Sequence, residues 1–420
     1  MSTPPDDNRS TPSTGRPLRV AVIGSGISGL GAAYLLRRAH DVEVFERDDR
    51  AGGHANTVVH DGLALDTGFL VHNTRNYPLL SKLFAELGVR THESEMSFSV
   101  ACGGCGLEYS GRRPFAQPRN AARPAHIGLV WEIGRWLRSA RPSLDRGDYE
   151  TTSLAAFLDE HRYSARFRRH FLVPLTSALW STAPDRALEV PAAYAIRFFE
   201  NHGMLGLGRF RWRTVTGGSR DYVARLERLL GPRLRLGRGV RSLRRDADGV
   251  HLRLMDDSVR RFDHVVVATH ADQALELLED PSDEERLALG GFEYAPNEAV
   301  LHTDASLLPR SRRARASWNY RLGDDGRATV TYHLNRLQKL SAERDYCVSL
   351  NERVADEHVL ARFSYDHPQF TVSTLQAQRD LTACSGARRT WYAGAHFGNG
   401  FHEDGLASGA AVARRLGVAW

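Results

Sequence analysis

Gly24-Ser-Gly-Ile-Ser-Gly29 follows directly on the apolar run Arg19-Val-Ala-Val-Ile23, and Glu46 stands 20 residues beyond Gly26. The chemistry that this set can perform is the holding of a dinucleotide. Gly24 makes a tight turn, Gly26 lets the backbone approach a pyrophosphate, and Gly29 lets helix and strand pack closely. The helix that follows offers its unpaired N–H groups and the positive end of its dipole to the phosphates, with Ser25 and Ser28 in reach. Glu46 can accept hydrogen bonds from a ribose diol, with Arg47 beside it.

The elements that must position these residues read as a β-α-β unit. Arg19–Ile23 is a buried parallel strand, Leu30–Ala39 a helix, and Asp41–Glu46 a second strand closed by its carboxylate. Val240–Arg244, Val250–Met255 and Ser258–Phe262 alternate in polarity between turn signals, as a β-meander does. Asp263–Thr269 reads as a further buried strand, with a helix from about Asp272. Thr390–Gly394 is a short strand, and Gly405–Leu416 an Ala/Gly-rich helix able to pack tightly. The expected fold class is therefore α/β: a discontinuous Rossmann-type domain over 18–90, 215–290 and 385–420. A second, α+β substrate domain is expected over 91–214 and 291–384. Residues 1–17 are polar and read as a disordered tail without a signal peptide.

Composition narrows the class. The chain has 420 residues and a formal charge of +6, with Lys82 and Lys339 its only lysines. The arginines are scattered, so no nucleic-acid partner is expected. No apolar run approaches the ~20 residues of a membrane span. Ile127–Leu137 is amphipathic, with Leu129, Val130, Ile133, Trp136 and Leu137 on one face, and reads as a core helix that leaves peripheral membrane contact open. Four cysteines fit a reducing, cytoplasmic setting. Cys102 and Cys105 form a C-x-x-C, but a zinc site needs more ligands than the neighbouring sequence supplies. The pair reads as a Gly-rich hairpin turn between Ser97–Val100 and Leu107–Tyr109, and no metal is expected.

With these residues in view, the chain resembles the flavin-containing amine oxidase superfamily. Glu46-Arg-Asp-Asp-Arg-Ala-Gly-Gly53, Asp66-Thr-Gly-Phe69, Trp212-Arg-Thr-Val-Thr-Gly-Gly218 and Ala393-Gly394 with Gly405-Leu-Ala-Ser-Gly409 carry the resemblance. It is most similar to a bacterial subgroup of predicted NAD/FAD-binding oxidoreductases whose genes accompany cyclopropane-fatty-acid-synthase-like genes. Gly53-His54, Asp66–Leu70, His302-Thr-Asp304, Ala316–Tyr320 and Gly400–Gly405 match that subgroup. The resemblance implies FAD as cofactor, held by Gly53, His54, Thr67, Gly68, Phe69, Val240, Thr269, Gly394, Ala395, His402, Gly405 and Leu406 besides the fingerprint. Two positions depart from the pattern: Ala395 replaces a common acid, and His54 the arginine of G-G-R.

Function is then expected to be hydride transfer from a substrate carbon to flavin, the substrate being small, lipid-like or unsaturated. No second G-x-G-x-x-G follows a strand, so the electron acceptor stays unassigned, with dioxygen one candidate. His396 and His402 are candidate proton shuttles, and Tyr320 and Tyr332 are candidates to face the ring. A redox-neutral isomerase or mutase, an amine oxidase and a non-catalytic flavin-binding protein are the alternatives. Lys82 and Lys339 read as surface charges, which weakens the amine-oxidase reading.

Overall fold

The computed structural model describes residues 16–147, 149–205, 210–323 and 328–420. The tail thus lies almost wholly outside the described residues. The chain forms two compact units, the first from residues 1–53, 223–290 and 378–420, the second from 54–222 and 291–377.

The first unit is built on a parallel sheet of five strands. They run in the order Leu234–Arg235, Asp41–Phe45, Arg19–Ile23, His264–Val267 and Thr390–Tyr392. Val20, Ala21, Val22, Val265 and Val266 are fully buried, as strands covered on both faces must be. The Ile27–Leu36 helix is buried along its whole length. It packs against the His402–Arg415 helix through glycine, because a Cβ on Gly409 would come within 2.4 Å of the Ser28 carbonyl oxygen. Leu406 fills the space over Gly31, where a Cβ would lie 2.4 Å from its Cδ1. The expected meander is present as Val240–Arg245, Val250–Leu254 and Val259–Phe262.

One buried ion pair locks this unit. Arg245 donates to both Glu285 oxygens, at 2.6 and 2.9 Å, and the Tyr392 hydroxyl donates to the same carboxylate at 2.6 Å. Both charged side chains are almost fully buried. With every oxygen bonded, the pair holds the Asp283–Gly290 helix to the sheet edge.

The second unit carries a seven-stranded sheet and a helical layer. The sheet runs Val359–Pro368, Tyr294–His302, Cys347–Leu350, Ala328–His333, Trp318–Leu322, Phe98–Cys102 and Leu107–Ser110. Only the contact between Trp318–Leu322 and Phe98–Cys102 is parallel. Trp136, fully buried on the Pro124–Leu144 helix, meets Phe157, Tyr163, Phe167 and Phe199 at centroid distances of 5.7–6.3 Å. This aromatic core explains the amphipathic face seen around Trp136. Residues 54–90 group with this unit: the Thr57–His60 and Leu63–Asp66 strands pair with each other, and His72–Asn73 pairs with Trp212–Val215.

Candidate functional site

The glycine turn of the first unit is set by backbone geometry. Gly24 has φ +97°, and a Cβ there would lie 2.8 Å from the Ala268 carbonyl oxygen. A Cβ on Gly29 would lie 2.0 Å from the Gly24 oxygen. Gly26 differs from both. Its φ of −66° suits any residue, and a Cβ on it would meet nothing within 4 Å. Folding therefore does not require glycine at Gly26. Open space at the head of a helix with no side-chain cap is what a phosphate-bearing group needs.

Glu46 is fixed at the end of its strand. It accepts the Ser25 N–H at 2.8 Å and the Ser25 hydroxyl at 2.6 Å on one oxygen, and the Asp48 N–H at 3.1 Å on the other. A carboxylate has about four lone-pair sites, so capacity for a ribose diol remains. The loop after Glu46 folds back on the turn. Gly52 donates to the Ser25 carbonyl at 2.9 Å, Arg50 donates to the Gly53 carbonyl at 3.0 Å, and a Cβ on Gly53 would lie 3.3 Å from the Gly26 Cα. Arg47 points outward, its Cβ against Gly239 next to Val240. Thr269 lies over Gly24, its methyl 3.6 Å from the ideal Cβ position. The expected dinucleotide residues Gly24, Ser25, Gly26, Ser28, Gly29, Glu46, Gly53 and Thr269 thus come together in one unit.

The C-terminal candidates gather in the same unit. Gly394 donates to the Ser408 hydroxyl at 2.9 Å, and a Cβ on Gly405 would lie 2.8 Å from the Ser28 hydroxyl and 3.7 Å from the Ala395 nitrogen. His402 is the first residue of the last helix, whose Asp404 carboxylate accepts the Phe401 N–H at 2.9 Å. His396 is buried against Gly394, and its carbonyl accepts from Gln378 at 2.7 Å. Burial lowers its pKa to about 3, so the ring is neutral at pH 7 and suits holding this turn better than shuttling a proton.

In the second unit, His54, Thr67, Gly68 and Phe69 form one knot. Phe69 donates to the His54 carbonyl at 2.9 Å, and a Cβ on Gly68 would lie 2.2 Å from that oxygen. Two residues that sequence reasoning missed complete it, Tyr365 and His367 of the Val359–Pro368 strand. The Tyr365 ring stacks on His54 at 4.8 Å, and its hydroxyl meets Thr67 Oγ1 at 2.7 Å and Asn56 Nδ2 at 2.9 Å. His367 lies 5.5 Å from His54, ring to ring. The signal was the two-residue alternation Phe363, Tyr365, His367, which a strand turns to one face.

Tyr320 and Tyr332 are placed otherwise than expected of ligand-facing residues. They share a face of the large sheet, covered by the Val173–Trp180 helix: Tyr320 hydrogen-bonds Ser177, and the Tyr332 hydroxyl lies 3.5 Å from the Ala178 carbonyl. Burial raises both phenol pKa values well above the usual range. Packing between sheet and helix accounts for both. Lys339 is exposed with φ +49°, and Lys82 lies on the Pro78–Leu87 helix.

Asp66 is a buried node. Its Oδ1 accepts from the Thr57 hydroxyl at 2.6 Å and from the Ser219 N–H and hydroxyl, both at 2.8 Å, while Gln338 donates to Oδ2 at 3.1 Å. Desolvation outweighs these bonds and raises its pKa to about 6.

Residues 27–360 match the model of the family described as flavin containing amine oxidoreductase. Amine oxidase [flavin-containing] B of Sus scrofa is 27% identical over 265 residues, covering 59% of this chain and 49% of that one. The chain spans about half, or less, of the length of the curated relatives it matches. A solved putrescine oxidase bound to putrescine superposes with TM-score 0.72 and 15% identity, covering 96% of this chain and 99% of that one. A solved CLA-producing fatty acid isomerase from P. acnes gives 0.67 and 17%, covering 94% and 98%. Both likenesses establish the fold. The chain belongs to the flavin-containing amine oxidoreductase family, whose cofactor is FAD.

Proposed function

We propose that the protein oxidises a carbon centre of a small, acidic, lipid-like or unsaturated substrate. The observation that carries the cofactor half of this reading is Gly26, a glycine that folding does not need at a helix head that lacks a cap. Bound FAD supplies the hydride acceptor. The chain's residues do the rest: the Gly24–Gly29 backbone would hold the pyrophosphate, and Glu46 the ribose. Arg47, His54, Thr67, Gly68, Phe69, Val240, Gly394, Ala395, His402 and Leu406 remain the proposed further contacts. His54, Tyr365 and His367 are the groups we would assign to proton handling, because two imidazoles and a phenol, groups able to exchange protons, gather there with the Tyr365 and His367 ring centroids 4.8 and 5.5 Å from that of His54.

Charge supports the substrate class. A cavity of about 140 Å³ in the second unit is walled by Arg112, Arg113, Arg312, Arg313, Arg315 and Arg336. Glu95 and Asp345 engage Arg336 and Arg315, which leaves a surplus of positive charge. Such a wall attracts a carboxylate or phosphate and repels a protonated amine. Membership of the subgroup tied to cyclopropane-fatty-acid-synthase-like genes, a fatty-acyl substrate, a role in lipid metabolism and a cytoplasmic location are parts of the same proposal. No helix among the described residues is long and apolar enough to cross a membrane. Trp131 and Ile127 are exposed one turn apart on the Pro124–Leu144 helix, which keeps peripheral lipid contact within the proposal.

The test is anaerobic mixing of the yellow holoprotein with fatty acids, acyl esters and amines, following loss of flavin absorbance. Bleaching by an acid or acyl substrate supports the reading, and bleaching by amines alone overturns it. Product formed only after dithionite reduction, without net electron transfer, replaces it with an isomerase. Dioxygen is the acceptor if bleached protein recovers its colour in air.

A further inference from the structure

The hairpin carrying Cys102 and Cys105 lacks a second ligand pair in the sequence, yet the fold brings one ligand to it. The Cys102 and Cys105 sulfurs and a ring nitrogen of His170 all lie within 4.8 Å of one another, with Cys105 Sγ 3.7 Å from His170 Nε2. Two ligand atoms on one tetrahedral zinc stand about 3.5–3.8 Å apart. The observed spacing is close to that before any ion is added. We propose that Cys102, Cys105 and His170 form a binding site for a borderline-soft divalent cation of the zinc class, with a fourth position left to water.

The backbone on both sides is held in place for this. Cys102 pairs with Leu107 across the hairpin, Gly103 donates to the Leu322 carbonyl at 2.8 Å, and Arg119 donates to the Gly106 carbonyl at 3.1 Å. On the other side, Arg168–Leu172 is wound as a π-helix, which resets the helical register. Such single-turn π segments are uncommon and often mark functional positions. The Tyr109 hydroxyl donates to the His170 carbonyl at 2.6 Å and ties the two segments together. The His170 side chain is itself informative. It is only 5% exposed, its Nδ1 has no hydrogen-bond partner among the described residues, and its Nε2 faces sulfur. A polar ring buried in this way is costly without a ligand. Cys102 is buried and Cys105 exposed, so an ion can enter from the Cys105 side. On binding, two S–H bonds are replaced by two metal–sulfur bonds and two protons pass to the buffer. The ion would staple the hairpin to the helical layer of the second unit.

The test starts from the holoprotein purified under reductant, stripped with a chelator and titrated with Zn²⁺ against a chromophoric chelator. We expect one Zn²⁺ per chain, protection of the exposed Cys105 thiol from alkylation, and ligand-field bands at longer wavelength than the flavin absorption when Co²⁺ replaces Zn²⁺. Cys105→Ser and His170→Gln should each weaken binding at least about a hundredfold, with flavin content unchanged. Cys105 is exposed, so Cys105→Ser decides the matter even if His170→Gln fails to fold. Unaltered Zn²⁺ uptake by Cys105→Ser overturns the site. So does fully reduced protein that takes up no Zn²⁺, which would leave the C-x-x-C as a disulfide-forming pair or a plain turn.

Discussion

The two units hold their functional residues by different means. In the first, backbone does the placing: Gly24, Gly29 and Gly409 are tolerated only as glycine because a Cβ would come within 3 Å of a backbone carbonyl oxygen. In the second, side chains do it: Asp66, Thr57, Ser219 and Gln338 tie distant segments together, and Tyr365 ties His54 to Thr67. A backbone device leaves a spaced pattern of glycines in the sequence, even where the contact it permits, as between Gly409 and Ser28, is distant. A side-chain network draws on residues from all over the unit and leaves none.

The largest break in this comparison is expected in the first unit's charged lock. Glu285→Ala leaves Arg245 buried without its bidentate partner, and loss of one member of such a pair costs about 3–5 kcal/mol. Denaturant unfolding should show the loss, and Glu285→Gln should recover part of it by keeping the shape and some hydrogen bonds.

The glycine turn separates folding from binding. Gly29→Ala places a methyl 2.0 Å from a carbonyl oxygen. Overpacking of this sort costs about 1–3 kcal/mol and shifts backbone, so the variant should lose both stability and FAD. Gly26→Ala has free space and an ordinary φ, so its apoprotein should unfold at the wild-type midpoint while its FAD affinity falls at least about tenfold. Equal melting losses in both variants would show that Gly26 serves packing and would remove the observation on which cofactor placement rests.

That contrast also explains what was legible. The β-α-β unit, the meander and a tightly packing last helix could be read because each depends on local glycine spacing and apolar runs; that the last helix packs on the first could not. The knot of His54, Thr67 and Tyr365 could not, because 298 residues separate Thr67 from Tyr365 and only the folded sheet joins them. The same holds for His170, 65 residues from Cys105. Tyr320 and Tyr332 were expected to face the ring, but periodicity does not say which cover a sheet face receives, and here it is the Val173–Trp180 helix.

Acid provides a finer probe of the side-chain unit. His72 is buried against Phe84, with a centroid distance of 5.2 Å, and desolvation lowers its pKa to about 4. The unfolded chain takes up this proton near pH 6.5 and the folded chain does not, so stability falls as pH drops from about 6.5 to 4. The shift corresponds to about 3 kcal/mol. Asp66 works in the opposite sense. Its folded pKa, about 6, lies above the usual carboxylate value of 3.8, so its contribution is present at low pH and is lost as pH rises through 6. The two therefore offset each other between pH 4 and 6.

His72→Phe should flatten the acid limb of an unfolding-midpoint curve, whereas Asp66→Asn should steepen it while weakening the Gln338 contact, where two amide donors would then face each other. If neither variant alters the slope, the second unit's buried groups are more hydrated than their burial implies. The backbone-against-side-chain contrast would then rest on packing alone.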